Sequence, residues 1–230
     1  MDIYTEKLLT EKFKIDKKVI STVASSENKI ADIFAELDDI MTFNQYKILD
    51  AFRKNRISDV HFSWNTGYGY DDPGREALEK VWADVFSAEA ALVRPIIVNG
   101  THALSLTLSG ILRPGDELIY CTGRPYDTLE ETIGIRGSGK GSLKDFGIIY
   151  KQVELAEDGS LDFDALKKAI TPDTRMISLQ RATGYAFRKA VTIPEIKAWT
   201  DFVKGIRPDI VCMVDNCYGE FLDTLEPTDF

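Results

Sequence analysis

Histidine and cysteine are scarce in this sequence, and neither residue forms a recognisable site. The 230 residues include only His61, His102, Cys121, Cys212 and Cys217. Because the two histidines lie far apart in the sequence, a histidine-based metal site is not expected and no metal is predicted. The cysteines lack Cys-x-x-Cys spacing and form no disulfide framework. This usage favours a reducing compartment, so we predict a cytoplasmic protein.

Positive charge and long apolar runs are also lacking. The net charge of -9 argues against nucleic-acid binding, which normally requires a basic surface. No apolar stretch approaches the length that crosses a bilayer. The first residues, MDIYTEKLLTEKFKIDKK, are charged throughout and do not resemble a signal peptide. We therefore expect neither a nucleic-acid partner nor a membrane partner.

The first part of the chain, residues 1–60, is predicted to be an N-terminal helical arm. Its segment ENKIADIFAELDDI repeats apolar residues at helical spacing. The aromatic and glycine-rich segment HFSWNTGYGYDD ends at Asp72. Asp72 and Pro73 are the residue types of a helix cap and a first helical turn. The residues on one face of the predicted arm are Ile30, Ile33, Phe34 and Leu37.

From residue 91 onward, strand-like and helix-like segments alternate. The predicted strands are ALVRPIIVN, DELIYC, FGIIYKQVEL, TRMISLQ and DIVCMVD, each separated from the next by a helical pattern. Such alternation predicts crossover connections between parallel strands. The strands are nearly continuous apolar runs, as expected when both faces are covered. Residues 61–230 are therefore predicted to form an α/β domain, with a predominantly parallel sheet and helices on both faces.

Polar residues follow several of these strands. Ligands of open α/β sheets bind beyond the carboxyl ends of the strands, so these segments are the places to search. Surface loops are polar in any case, and each segment alone is a weak signal. The segments are Asn99 to His102, Cys121 to Tyr126, Gln180-Arg181 and Asp215-Asn216.

The segment IIVNGTHALSL has the pattern of a strand, a glycine turn and a helix start. Free amides and the positive end of the helix dipole at Gly100 and Thr101 would suit a phosphate. The alternative is a plain turn in which Thr101 caps the helix. Tyr126 begins the next predicted helix, where its ring could lie over a flat ligand or pack as a core tyrosine.

Asp215 is the sharpest signal, because a carboxylate at the end of a buried strand needs a positive or hydrogen-bonding partner. A carboxylate there would favour the protonated form of a heterocyclic nitrogen. The alternatives are a residue that caps the next turn or a metal ligand, and no second carboxylate stands at ligand spacing. A phosphate site, a stacking tyrosine and a carboxylate for a ring nitrogen are together what pyridoxal phosphate requires.

The segment GIRGSGKGS, residues 134–142, comes close to a phosphate-binding P-loop. Gly141 replaces the Ser or Thr that would bind magnesium, and no strand pattern precedes the segment. We interpret it as a Gly/Ser/Lys loop, with nucleotide binding through Lys140 as an alternative.

The segments GYGYDDPGREALE, VNGTHAL, GRPYDTLEETIG, SLQRATGY and VDNCYGEF carry a family resemblance. From about Trp64 to Phe230 the chain resembles the fold-type I pyridoxal-phosphate enzymes. Within them it is similar to the methionine gamma-lyase-like group, also called aluminium-resistance or cystathionine beta-lyase family proteins. The resemblance implies pyridoxal 5'-phosphate as cofactor and an amino acid as substrate.

The resemblance also implies roles for particular residues. Gly100 and Thr101 would bind the cofactor phosphate, with His102 beside them. Tyr126 would stack on the pyridine ring, and Asp215 would pair with its nitrogen. Cys217 would lie near the ring.

Further roles concern the subunit interface and the substrate. Tyr68 and Tyr70 would reach the active site of a neighbouring subunit in a homodimer or homotetramer. Tyr70 stands where related lyases have a phosphate-binding arginine, so part of the phosphate charge would be met elsewhere. Arg181 and Arg188 are candidates for cofactor or substrate-carboxylate contacts.

The family's Schiff-base lysine follows the aspartate motif by a few tens of residues, and no lysine of this sequence occupies that place. Neither Lys140 nor Lys144 is equivalent, so no catalytic residue is assigned. We expect an incomplete large domain that needs a C-terminal segment, with the strand ALVRPIIVN left at an unpaired edge.

Two functions follow as hypotheses. The first is the N-terminal part of a pyridoxal-phosphate-dependent lyase that cleaves a carbon-sulfur bond of an amino acid. The second is a catalytically inactive fragment that acts as an interaction or oligomerisation module through its N-terminal helices.

Overall fold

The computed structural model describes residues 2–68, 70 and 72–230. The chain divides into two compact units, one ending at Lys47 and the other running from Ile48 to Phe230. The boundary expected at residue 60 stays a prediction. Across these described ranges, no helix is long and apolar enough to span a bilayer.

The first unit is helical. It contains α1 (Ile3–Glu11), α2 (Lys17–Lys29) and most of α3 (Ala31–Lys54). Asp2 caps α1 and Asp16 caps α2, each through a side-chain oxygen that accepts from first-turn amides. The apolar residues predicted on one face are exposed rather than covered, namely Ile30, Ile33, Phe34 and Leu37.

The second unit is an α/β domain in which helices and strands alternate as predicted. Four strands are present in the described residues. The elements are a 3-10 helix (Asp59–Phe62), α4 (Pro73–Val85), α5 (Gly100–Ile111), β1 (Glu117–Tyr120), α6 (Asp127–Ile133), β2 (Ile149–Gln152), α7 (Phe163–Ala169), β3 (Thr174–Gln180), α8 (Ile193–Ile206) and β4 (Val211–Asp215).

The four strands form one parallel sheet in the order β2-β1-β3-β4. Strand β3 lies between β1 and β4, with Tyr120 opposite Ser178 and Gln180 opposite Asp215. Because the strands are parallel, their carboxyl ends meet at a single edge. The residues that follow β1, β3 and β4 are therefore neighbours in space.

Helices cover both faces of the sheet, which confirms the predicted fold class. Leu118 and Met176 pack on one face with α5 and α6. The next residues along the same strands, Ile119 and Ile177, pack on the other face with α7 and α8. This alternation follows from the two-residue period of strand side chains.

The segment ALVRPIIVN is not a strand, so that part of the prediction is wrong. Residues 91–99 have irregular backbone, and Ile97 N donates to Arg94 O at 3.0 Å in a local turn. The physical reason is that a strand requires a hydrogen-bonded neighbour, and no strand of the described residues pairs with this segment. Ile96 and Val98 remain exposed in consequence.

Candidate functional site

Asp215 lies at the carboxyl end of β4, and its carboxylate is half-buried. Its Oδ1 accepts a hydrogen bond from Cys217 N at 3.1 Å. Burial raises the pKa of Asp215, and the nearby Glu220 adds to the increase. In the described part of the chain, no lysine, arginine or histidine forms an ion pair with this carboxylate. The site therefore has a negative group suited to a positively charged ligand atom.

Helix α5 begins at the same edge of the sheet, and its cap is Asn99 rather than Thr101. Asn99 Oδ1 accepts from His102 N at 2.8 Å, and Asn99 O accepts from Ala103 N at 3.1 Å. The amides of Gly100 and Thr101 form no hydrogen bond with any residue that the structure describes. Two donors at the positive end of a helix are thus available to an anion.

The His102 side chain faces its own segment. Its Nδ1 accepts a hydrogen bond from Val98 N at 3.4 Å. The predicted place of His102 beside the phosphate stays a prediction.

Tyr126 stands at the cap position of α6 and is half-buried. Its ring stacks on Tyr185, with centroids 5.6 Å apart and planes 24° apart. The two hydroxyl groups lie 3.1 Å apart, and this hydrogen bond raises the pKa of Tyr126 to about 12. A flat ligand would use the opposite face of Tyr126 or displace Tyr185.

Contacts across the edge of the sheet bring these groups together. Thr101 Oγ1 lies 2.6 Å from Thr128 Oγ1, which joins the starts of α5 and α6. A Cβ atom added at Gly184 would lie 2.9 Å from Gln180 Nε2 and 3.9 Å from Tyr126 Cδ2. Gln180 is in turn the register partner of Asp215 in the β3–β4 pair.

The tyrosines predicted for a neighbouring subunit are almost fully exposed. Tyr68 is 81% exposed and Tyr70 is 82% exposed. Gly69 and Asp71 of the same motif lie outside the described residues. Cys217 is also exposed, and its amide rather than its thiol makes the contact with Asp215. The roles predicted for these side chains remain predictions.

The two candidate arginines both bond to their own chain. Arg188 donates to Gln180 O and Lys189 O, both at 2.9 Å, and also to Ala182 O. Burial lowers the pKa of Arg188. Arg181 is 5% exposed and donates to the turn after β4. Their predicted contact with a substrate carboxylate stays a prediction.

The end of the glycine loop at residues 134–142 is bound to a carboxylate of the chain. Gly141 N and Ser142 N donate to Asp145 Oδ2 at 2.9 and 3.0 Å, and Ser142 Oγ donates to the same atom at 2.9 Å. These bonds lower the pKa of Asp145. A carboxylate of the chain therefore holds these three donors, and nucleotide binding through Lys140 stays a prediction.

Sequence reasoning missed Tyr185 and Glu226. Tyr185 ends the segment SLQRATGY, so an aromatic residue after β3 was a usable signal. Glu226 is fully buried although it stands in the polar segment LEPTDF, and no local pattern indicates that burial. No cluster of three or more potential metal ligands occurs in residues 2–68, 70 and 72–230.

The covered parallel sheet has free amides at a helix start and, among the described residues, a carboxylate without an ion-pair partner at its carboxyl edge, and it matches part of the pyridoxal-phosphate-type α/β fold. A comparison with family models identifies the family. The family model for methionine gamma-lyase matches residues 19–230, and the chain belongs to that family.

Solved structures agree over nearly the whole chain. The carbon-sulfur lyase involved in aluminum resistance from Clostridium novyi NT is 48% identical, with a TM-score of 0.93 over 100% of this chain and 55% of that chain. A Listeria innocua protein, provisionally named cystathionine beta-lyase involved in aluminum resistance, is 55% identical with a TM-score of 0.89. That match covers 91% of this chain and 52% of the other.

Among curated proteins, the uncharacterized protein YnbB of Bacillus subtilis (strain 168) is 52% identical over 207 residues. The match covers 90% of this chain and 49% of YnbB. The chain thus spans about half the length of the relatives that it matches.

Proposed function

We propose that this chain forms the cofactor-binding part of a pyridoxal 5'-phosphate-dependent lyase that cleaves a carbon-sulfur bond of an amino acid. The observation that carries the proposal is the half-buried Asp215 carboxylate, which has no cationic partner among the described residues. Membership of the methionine gamma-lyase family supports the same activity. The Clostridium novyi relative is itself named a carbon-sulfur lyase.

Three groups at the edge of the sheet fit this cofactor. The amides of Gly100 and Thr101 suit an anionic ester at the start of α5. The Tyr126 ring offers a flat surface, and Asp215 suits a protonated ring nitrogen. The donor set therefore matches the phosphate, ring and nitrogen of a pyridoxal compound.

When bound, the cofactor supplies an electron-withdrawing ring that accepts the electron pair released at the substrate α-carbon. Asp215 would hold a proton on the ring nitrogen, because a nearby carboxylate favours the charged form. Gly100 and Thr101 would fix the phosphate, and Tyr126 would fix the plane of the ring. These residues would hold the cofactor at its phosphate, at its ring face and at its ring nitrogen.

Two further kinds of group, the tyrosines of a second subunit and the lysine that binds the cofactor, would complete the site. Tyr68 and Tyr70 are exposed, as residues that contact a second subunit in a homodimer or homotetramer would be. We place the lysine that binds the cofactor covalently outside these 230 residues, as the family resemblance implies.

The test is a binding titration with pyridoxamine 5'-phosphate, which has the ring and phosphate of the cofactor but cannot form an imine with surface lysines. We expect saturable binding by equilibrium dialysis and about tenfold weaker binding for Asp215→Asn. Asp38→Asn, at an exposed position of α3, is the matched control. Pyridoxamine without its phosphate should bind much more weakly. Equal affinity of the wild-type chain and Asp215→Asn would contradict the proposal.

A second function is favoured by one observation. The α3 residues Ile33, Phe34 and Leu37 are 57%, 50% and 47% exposed, which is unusual for three apolar neighbours on one helix. An inactive interaction module would show concentration-dependent association in sedimentation experiments and no affinity for pyridoxamine 5'-phosphate. Because a lyase dimer would also associate, the titration with pyridoxamine 5'-phosphate is the measurement that separates the two functions.

A further inference from the structure

The turn that follows Asp215 is held by two buried charged side chains. Arg181, directly after β3, is 5% exposed, and Glu226 is 0% exposed. Asn216 lies between them and contacts both. Buried charges are costly unless hydrogen bonds satisfy them, so the contacts of these two side chains determine whether the turn keeps its shape.

Arg181 holds the turn from one side. Its Nη1 donates to Asn216 Oδ1 at 3.0 Å and to Gly219 O at 2.7 Å. Its Nη2 donates to Asp223 Oδ2 at 2.5 Å. Its backbone N donates to Asp215 O at 2.9 Å, which extends the β3–β4 ladder. One residue therefore fixes both the end of β4 and the turn beyond it.

Glu226 holds the turn from the other side. Its Oε1 accepts from Phe221 N at 2.8 Å, and its Oε2 accepts from Asn216 Nδ2 at 3.2 Å. The two ends of the Asn216 amide thus face opposite kinds of partner, a guanidinium donor and a carboxylate acceptor. Only a side chain with one acceptor and one donor satisfies both, as an amide does.

Gly219 allows this close packing. A Cβ atom at position 219 would lie 2.5 Å from Asn216 Oδ1 and 2.6 Å from Arg181 Nη1. Any larger residue would push the guanidinium and the amide apart. The motif VDNCYGEF therefore contains two residue types that the network requires, in addition to the aspartate.

We propose that Asn216, held between Arg181 and Glu226, is a positioning residue that fixes the Asp215 carboxylate toward the ring nitrogen of the cofactor. The inference rests on the proposed function. Asp215 Oδ1 accepts from Cys217 N at 3.1 Å, so the carboxylate is bonded to the turn that the network holds. Arg181 then acts on Asp215 through this turn.

A swap of polarity tests the network. In Asn216→Asp, the new carboxylate still accepts from Arg181 but faces the Glu226 carboxylate, and the repulsion displaces the turn. In the double variant Asn216→Asp/Glu226→Gln, the Gln amide nitrogen donates to the new carboxylate while its oxygen still accepts from Phe221 N. The double variant has the same net charge as the wild-type pair of Asn216 and Glu226. If it recovers the wild-type behaviour, the loss in Asn216→Asp comes from the mismatched contact.

Two measurements on the full chain report the position of Asp215. The first is hydrogen exchange of the Cys217 amide, which should be about tenfold faster in Asn216→Asp and return to the wild-type rate in the double variant. The second is affinity for pyridoxamine 5'-phosphate, which should fall about tenfold and be restored likewise. In an Asp215→Asn background, the change in affinity should shrink to about twofold.

Each outcome decides the inference. No recovery in the double variant, or an equal loss of affinity in the Asp215→Asn background, would overturn it. If Asn216→Asp fails to fold by circular dichroism, Glu226→Gln against the double variant gives the same comparison, because Glu226→Gln alone leaves one donor of the turn unmatched. If the wild-type chain does not bind the ligand, the proposed function fails, and exchange at Cys217 still tests the network.

Discussion

At the residue scale, Asp215 combines burial with the absence of a cationic partner in the described part of the chain. Charged side chains in such places lower the stability of the folded protein unless a ligand meets them. The Cys217 amide offsets part of this cost through its bond to Oδ1. Replacing Asp215 by a neutral residue should therefore raise the stability of the chain and weaken its binding of the ligand.

The first prediction concerns the stability of Asp215→Asn without ligand. The pKa of Asp215 is raised above its ordinary value of 3.8, so deprotonation favours the unfolded chain and stability falls as pH rises through the folded-state pKa. The neutral amide still accepts from Cys217 N and lacks this penalty. Urea unfolding at pH 7 should give a larger free energy of unfolding for the variant, with the difference disappearing below pH 3.8.

Asp38→Asn is again the control, because that side chain is exposed and its replacement should leave stability unchanged at both pH values. A variant Asp215→Asn that is less stable than the wild-type chain at pH 7 would show that the carboxylate is already stabilised by the protein. In that case it would not be available to a ligand.

Residue types alone predicted Asp215 and Tyr126 as site residues, because each stands after a strand where ligands bind. They did not predict what Arg181 does. An arginine after β3 can point into the cleft or back into its own chain, and only the tertiary positions of Asn216 and Gly219 decide this. Glu226 carries no local signal at all, since its burial depends on Phe221 and Asn216.

At the element scale, apolar runs bounded by turn residues predicted the strands well. The pattern TRMISLQ predicts the same residues that form β3, Thr174–Gln180. The equally apolar run at residues 91–99 is irregular, because hydrophobicity does not supply the neighbouring strand that a ladder needs. Local patterns therefore identify segments able to form strands, and pairing decides which of them do.

The second prediction concerns β1, which begins at a buried carboxylate. Glu117 accepts from Lys151 Nζ at 2.7 Å, Thr171 Oγ1 at 2.6 Å and Thr174 Oγ1 at 3.0 Å. Burial raises the pKa of Glu117, but these three contacts outweigh it and the net pKa lies below 4.5. Glu117→Gln should lower the free energy of unfolding at pH 7 by about 1–3 kcal/mol.

The pH dependence of this stability follows from the lowered pKa of Glu117. Stability contributed by Glu117 is fully present above pH 4.5 and is lost as the pH falls through its lower folded-state value. The difference between the wild-type chain and Glu117→Gln, measured by urea unfolding, should therefore shrink in acid. The exposed Glu89→Gln is the control. A difference that stays constant down to pH 3 would show that packing, rather than charge, is responsible.

At the scale of the whole molecule, the family and the α/β architecture were both predictable, since each follows from patterns repeated along the chain. The chain matches relatives about twice its length, with TM-scores of 0.89 and 0.93. What could not be predicted is how the groups that follow separate strands meet. The contacts from Thr101 to Thr128 and from Tyr126 to Tyr185 join residues distant in sequence, and they depend on sheet order.

The most direct measurement uses pyridoxamine 5'-phosphate labelled with nitrogen-15 in its ring, bound to the chain and followed by NMR through a pH titration. If Asp215 pairs with the ring nitrogen, that nitrogen should stay protonated to a pH at least about one unit higher in the wild-type complex than in the Asp215→Asn complex, a coupling of about 1.4 kcal/mol. Identical titration curves for the two complexes would contradict the pairing.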